Sequence, residues 1–118
     1  MNKFEVIFAE DPKKVSTHCY LQSMKVERDF FLDEVSRYRI GAVFCSVPSD
    51  GIGLFFEFFD AVNFSLKSID GVFAYVLNIN DVSYRQQEGM NYCVSESEYG
   101  AFSFYCKDYD VKFIELDV

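Results

Sequence analysis

The feature that most constrains the fold of this chain is an Asp70-Gly71 dipeptide between two alternating apolar and polar runs within residues 62–79. Asp-Gly suits a two-residue type I′ turn, because both central residues of that turn need positive φ. Such a turn fixes the register and places Val62 opposite Ile79. The sequence therefore predicts a β-hairpin over 62–79. The residues on its apolar face are Val62, Phe64, Leu66, Phe73, Tyr75, Leu77 and Ile79.

Alternation with a period of two predicts strands elsewhere as well. The further predicted strands are residues 3–8, 42–47, 90–96, 101–107 and 111–117. Residues 48–51 and 97–100 are rich in Pro, Ser, Asp, Glu and Gly and are predicted to be turns. The last two strands are expected to form a second hairpin around Asp108-Tyr109-Asp110.

Helical signals are fewer. Asp11 followed by Pro12 is typical of a helix start, with Asp as N-cap and Pro at the first helical position. At about 100° per residue, residues 24–38 place their apolar side chains on one face of a helix. Opposite charges at i,i+4 lie on the other side. Residues 15–21 and 52–59 are compatible with helix or strand. As a strand, 52–59 would be apolar on both sides.

These elements together predict an α+β fold. We expect a mainly antiparallel sheet of about five to seven strands, with one or two helices packed on one face. The chain has 118 residues, half of them hydrophobic, which is enough for a substantial core. One domain over residues 1–118 is therefore expected.

The charge of the chain is unevenly distributed. Residues 1–39 carry seven acids and seven bases, whereas residues 40–118 carry twelve acids and four bases, so the net charge of −8 lies in the second part. An acidic field disfavours nucleic acid and anionic membranes as partners and favours a basic partner. Because the chain has neither a run of about 20 apolar residues nor a signal-peptide pattern, a cytoplasmic location is expected.

No motif for phosphate, dinucleotide, zinc-protease, hydrolase or calcium chemistry is present. His18 is the only histidine, and its neighbour Cys19 would point away from it in a helix or a strand, so the two cannot form a dyad. The four cysteines are expected to be free thiols, although disulfides stay possible, with Cys93 and Cys106 the best-placed pair. No catalytic residue, cofactor or metal is predicted.

Acidic residues next to tyrosines recur in the predicted loops of the second part. Tyrosine is enriched at interface cores, and acids steer a basic partner during association. The alternative is that these are ordinary exposed loop residues. The predicted partner-binding residues are Asp81, Tyr84, Glu88, Glu96, Glu98, Tyr99, Asp108, Tyr109 and Asp110.

In size, acidity, patternless cysteines, lack of catalytic motifs and α+β layout, the chain resembles small bacterial toxin-immunity proteins of the polymorphic or contact-dependent type. The resemblance is one of overall character and assigns no residue roles. It implies a non-enzymatic protein that neutralises a cognate basic toxin, such as a nuclease, by covering its active site or substrate surface. The alternatives are a nucleic-acid mimic that inhibits a DNA- or RNA-binding enzyme, and a small ligand-binding domain.

Overall fold

The structure, a computed structural model, describes residues 3–29, 37–67, 74–85 and 90–116. Within these residues, two short helices precede seven strands. The helices are α1 (Lys3–Glu10) and α2 (Pro12–Thr17). The strands are β1 (Tyr20–Asp29), β2 (Arg37–Cys45), β3 (Ile52–Leu66), β4 (Leu77–Asp81), β5 (Tyr92–Glu96), β6 (Phe102–Cys106) and β7 (Asp108–Glu115). A short 3-10 helix, Ser83–Arg85, follows β4.

The described strands form one antiparallel sheet in the order β1-β2-β3-β6-β5-β4, and β7 also pairs with β3. β6 and β7 lie end to end along the same side of β3. Their register on β3 is continuous, since Val62 pairs with Tyr105 and Phe59 pairs with Asp108. The mainly antiparallel sheet predicted from the sequence is confirmed, and β3 is the strand that both halves of it share.

Two bulges bend β3 in its middle. The pairing with β2 shifts register near Asp60, and the pairing with β6 shifts near Asn63. These two residues have positive φ, 54° and 55°. Asn and Asp adopt this left-handed region more readily than other residues with a side chain. Each bulge inserts one extra residue, so the inward-facing position advances by three residues instead of two, from Phe58 to Ala61 and then Phe64.

The core contains a continuous series of aromatic rings across both halves of the sheet. Phe44 and Phe56 meet edge to face at 5.7 Å between ring centroids, and Phe56 stacks on Phe58 at 5.8 Å. Phe58 then meets Phe104 of β6 at 4.9 Å. Edge-to-face pairs add about 0.5–1.5 kcal/mol each beyond the area they bury. These rings hold the two halves of the sheet in a fixed relation across the bend in β3.

The predicted helix start at Asp11 is confirmed. Its carboxylate accepts a hydrogen bond from Lys14 N at 3.2 Å, and Pro12 begins α2. The predicted strand over residues 3–8 is wrong, because this segment is α1. Helical spacing brings the ring of Phe4 to within 5.4 Å of Phe56 in the sheet, a contact that period-two alternation did not reveal.

The predicted hairpin over 62–79 is wrong. The 62–66 end of β3 pairs with β6, and β4 pairs with β5, so Ile79 lies opposite Val94 and not Val62. The Asp70-Gly71 turn lies outside the described residues. Alternation gives each strand an apolar face, but it does not select the partner strand. Here β5 and β6 offer the same alternation and pair instead.

The predicted helix over 24–38 is also wrong, since its described parts belong to β1 and β2. The charges that suggested i,i+4 helical pairs are satisfied in the sheet. Glu27 contacts Lys25, two residues away on β1, at 2.8 Å, and Arg39, its cross-strand partner on β2, at 3.1 Å. Residues 30–36 of this prediction lie outside the described part of the chain.

The remaining strand predictions have mixed outcomes. The segment 52–59, left open, belongs to β3, and 15–21 divides between α2 and β1. Strand 90–96 is confirmed as β5, and a turn follows it at 97–99. The second predicted hairpin is wrong, because Asp108 and Asp110 lie within β7, which continues β6 along β3 instead of folding back on it.

The bulge at Asn63 yields a testable prediction. A β-branched residue in the left-handed region is strained, so Asn63→Val should lower the free energy of unfolding by about 1–2 kcal/mol. Asn63→Gly should leave it nearly unchanged, since glycine adopts positive φ freely. Urea unfolding measures both. Ser65→Val, an exposed position two residues along β3, is the control and should not destabilise; equal stability of Asn63→Val and the parent would contradict the bulge.

Candidate partner-binding surface

The structure divides the predicted partner-binding residues into two groups at opposite ends of β6. Glu96 ends β5, and Glu98 and Tyr99 belong to the turn that leads from it to β6. Asp108, Tyr109 and Asp110 follow the other end of β6 and begin β7, and Asp81 lies at the same end, opposite Tyr92 of β5. Glu88 lies outside the described residues.

Glu96 is buried, with 2% of its surface exposed. Its carboxylate accepts four backbone hydrogen bonds, from Tyr99 N at 2.7 Å, Glu98 N at 2.8 Å, Val76 N at 3.1 Å and Ala101 N at 3.2 Å. Burial alone would raise the pKa of Glu96, but these four donors outweigh it and hold the pKa below its usual value. Glu96 therefore fixes the turn and the segment around Val76, and it does not present its charge to a partner.

Tyr109 is fully buried beneath α1. Its hydroxyl oxygen accepts a hydrogen bond from Phe4 N at 3.0 Å, and its ring packs at 5.0 Å from that of Tyr92. Burial raises the pKa of the Tyr109 hydroxyl to about 12. This tyrosine attaches α1 to β7, so its role is structural and it is not part of an exposed surface.

Asp108 and Asp110 are exposed and share one cation. Lys3 Nζ lies 3.0 Å from the Asp110 carboxylate and 3.4 Å from that of Asp108, and it also donates to the backbone oxygen of Tyr109 at 2.9 Å. The hydrogen bond with Asp110 is the largest cause of a raised pKa for Lys3. Because all three charged groups are at least half exposed, solvent screens these ion pairs.

The other exposed members are Glu98, Tyr99, Asp81 and Tyr84. Tyr99 and Tyr84 have 49% and 72% of their surfaces exposed. Asp81 accepts hydrogen bonds from the backbone N and the hydroxyl of Ser83, and these hold the pKa of Asp81 below its usual value. Asp81 therefore stays ionised at the surface and also caps the 3-10 helix.

His18 links α2 to the loop between β2 and β3. It is buried, its Nδ1 lies 2.6 Å from the backbone oxygen of Lys14, and its Nε2 lies 3.0 Å from the carboxylate of Asp50. Partial burial raises the pKa of Asp50, but hydrogen bonds from His18 and Ile52 outweigh it and hold that pKa below its usual value. Both ring nitrogens are engaged in structural contacts, so the imidazole has no nitrogen left for a nucleophile.

The four cysteines are free. Cys93 and Cys106, the pair favoured by the sequence, lie on the neighbouring strands β5 and β6 but are not cross-strand partners. Cys93 pairs with Tyr105 and Cys106 pairs with Tyr92, so the two thiols are on opposite faces of the sheet. Burial raises the pKa of the Cys106 thiol to about 12, which makes it unreactive at neutral pH.

The outer face of β1, β2, β3 and β7 is a further candidate surface that the sequence did not predict. A groove of about 410 Å³ lies on the part of this face that β1, β2 and β3 form. The groove is lined by Ser23, Lys25, Glu27, Arg39, Gly41, Val43, Phe55 and Glu57. The signal that could have identified this face was present, since a strand over 52–59 is apolar on both sides.

Between the helices and the opposite face of the sheet lies an apolar cavity of about 310 Å³, bordered by Phe4, Phe8, Phe44 and Tyr75 among others. No cluster of three or more histidine, cysteine or acidic side chains suited to a metal ion occurs in the described residues. Neither α1 nor α2, the helices in that part of the chain, is long and apolar enough to cross a membrane.

Comparison with known proteins identifies one family. A family model described as Immunity protein PIM8 matches residues 8–112. This range runs from α1 into β7 and therefore includes the whole of β3 and its partners β2 and β6. No curated protein and no solved structure matches the chain. The match covers well over half of the sequence, so it concerns the fold as a whole and not one motif.

The buried carboxylate of Glu96 yields a second prediction. Glu96→Gln should lower the free energy of unfolding by about 1–3 kcal/mol, because an amide cannot accept all four N–H groups. The pKa of Glu96 is lower in the folded state, so its contribution is complete above about pH 4.3 and is lost as pH falls through the folded-state pKa.

Denaturant unfolding between pH 3 and pH 7 tests this prediction. The parent should lose stability below about pH 4.3 more steeply than Glu96→Gln. The matched control is Glu98→Gln, which leaves the donating N–H of Glu98 in place and alters an exposed side chain. Equal losses for the two variants would contradict the role of Glu96.

Proposed function

Because the chain belongs to the PIM8 immunity protein family, we propose that it neutralises a cognate toxin by binding it. The family match over residues 8–112 is the observation that carries this proposal. The protein acts as a stoichiometric binding partner and catalyses no reaction. It works in the cytoplasm, where free thiols such as those of its four cysteines are normal.

The partner that fits best is a basic toxin domain, and a nuclease is the leading candidate. Nuclease surfaces that hold phosphates are cationic, and an acidic protein associates with them rapidly. The net charge of −8 lies in residues 40–118, which include six of the seven described strands in whole or in part. The binding protein covers the active site or the substrate surface of the toxin, so that nucleic acid is excluded.

The exposed members of the predicted set supply charge and aromatic surface to this interaction. They are Asp81, Tyr84, Glu98, Tyr99, Asp108 and Asp110, and Glu88, four residues after Tyr84 in the sequence, is proposed with them. The two groups lie at opposite ends of a five-residue strand, β6, and are therefore separated by about 17 Å. Both groups fit within one interface of standard size, which buries about 800 Å² per partner.

A nucleic-acid mimic is less well supported. Such a protein needs acids at phosphate-like spacing along one continuous face. Lys3 lies between Asp108 and Asp110 and neutralises part of the acidic group at that end. The bases Lys25 and Arg39 interrupt the outer face of the sheet in the same way. These observations favour a local protein contact over a phosphate-like stripe.

The test of the function is binding to the toxin domain encoded by the adjacent gene. Isothermal titration at 150 mM salt should give one-to-one binding with Kd well below 1 μM, and co-expression should restore growth. Raising the salt should slow association, because solvent-exposed charges steer the encounter. Absence of binding at micromolar concentration, together with unrelieved toxicity, would reject the proposal.

A further inference from the structure

β3 has large apolar side chains on both of its faces. Leu54, Phe56 and Phe58 are buried in the core between the sheet and the helices. Phe55 and Phe59 alternate with them and therefore point to the outer face of the sheet, where both are partly exposed. A sheet face that only solvent covers is normally polar. Two phenylalanines on one such strand indicate a surface that another protein covers.

The helices do not account for the outer phenylalanines. In the described part of the chain, the ring contacts of the two helices with the sheet are that of Phe4 with Phe56 and that of Lys14 with Phe113, and both of these sheet residues lie on the core face. Within the described residues, Leu116 packs over the outer face at Gly53, where an added Cβ would lie 2.8 Å from Leu Cδ2. That contact covers the Gly53 end of β3, whereas Phe55 and Phe59 stay partly exposed to solvent.

Glu57 lies between these two phenylalanines on the same face. Its neighbour on β2 is Gly41, which has no side chain, and its neighbour on β7 is Asp110. Phe55 leans over Gly41, with Cε1 3.4 Å from the position that a Cβ would take. Because Gly41 has no side chain, its backbone forms the floor of the groove. A side chain from another protein can therefore reach the Glu57 carboxylate.

Two exposed bases share this face with Glu57, namely Arg39 on β2 and Lys112, which lies opposite Phe55 on β7, and neither forms an ion pair with it. Two acids directly opposite each other on paired strands repel, and Glu57 faces Asp110. Asp110 has Lys3 as a counter-ion, whereas no ion pair joins Glu57 to any residue in the described part of the chain. On the far side of the groove, Glu27 is compensated by Lys25 and Arg39. Among the described residues, Glu57 is thus an acid of this face without an ion pair, and a cation of another protein can supply one.

We infer that the outer face of β1, β2, β3 and β7 is the toxin contact, and that Phe55, Glu57 and Phe59 receive an arginine of the basic toxin domain. This inference rests on the proposed function and names its contact surface. A guanidinium fits the site because it pairs with a carboxylate in its plane and stacks on aromatic faces. Asp108 and Asp110 adjoin this centre and form its acidic rim.

The placement agrees with the usual organisation of protein interfaces. Aromatic residues and arginine dominate the buried centre, and polar residues form the rim. Successive residues on one face of a strand are about 6.7 Å apart. Phe55, Glu57 and Phe59 therefore span about 13 Å, which leaves room for one inserted side chain between the two rings. The group at Glu98 and Tyr99 lies at the far end of β6 and contributes steering and not the central contact.

The test uses the full chain and the toxin domain encoded by the adjacent gene. Glu57→Gln keeps the shape of the side chain and removes its charge, and Phe55→Ala removes one aromatic wall. At 150 mM salt, Glu57→Gln should raise Kd about 30-fold or more, and Phe55→Ala about tenfold or more. The matched controls are Glu10→Gln and Phe8→Ala, which make equivalent changes at exposed positions of α1, on the opposite side of the sheet, and should alter Kd less than about threefold.

The outcomes separate the two proposals. If the parent does not bind the toxin domain, the proposed function fails. If the parent binds and both Phe55→Ala and Glu57→Gln bind within threefold of it, the function stands and the outer face is not the contact. A parent that is a dimer in light scattering, and that Phe55→Ala converts to a monomer with unchanged toxin binding, would assign this face to self-association and overturn the inference. Circular dichroism confirms that each variant is folded.

Discussion

One bent strand, β3, determines how the rest of this protein is arranged. It pairs with β2 on one side and with β6 and β7, end to end, on the other. Its bulges at Asp60 and Asn63 change which residues face inward, so that the core continues from Phe58 to Phe64 although the strand turns. Without them, continued period-two alternation would place the wrong side chains in the core beyond the bend.

The same strand links the fold to function. Its inner side chains, with Phe104 from β6, make the aromatic core that holds both halves of the sheet together. Its outer side chains, Phe55 and Glu57, line the groove on the opposite face. Because the backbone of this part of β3 is paired on both sides, the outer side chains project from a fixed backbone before any partner arrives. Pre-organisation of this kind lowers the entropy cost of forming a tight complex.

The sequence predicted the local features well and the long-range ones poorly. Asp11 was identified as a helix cap because its partner lies three residues away. The role of Glu96 was not predicted, because its carboxylate binds backbone N–H groups from a 26-residue stretch, 76–101. Backbone donors leave no pattern in the sequence. Glu27 suggested a helix because charges that alternate along a strand also fit i,i+4 spacing. At the candidate site, Tyr109 is buried and so is not available to a partner. Phe55 was not predicted as a surface residue, because the pattern of 52–59 fits both a helix and a strand.

The central claim is that the outer face of β3 is the centre of the toxin contact. Backbone amides of the buried strand exchange slowly in any case, so side-chain NMR is more direct than hydrogen exchange. The ring resonances of Phe55 and Phe59 should shift on addition of the toxin domain encoded by the adjacent gene, while those of Phe8, exposed on α1, stay near their free positions. Binding that leaves the ring resonances of both outer phenylalanines unchanged would contradict the account.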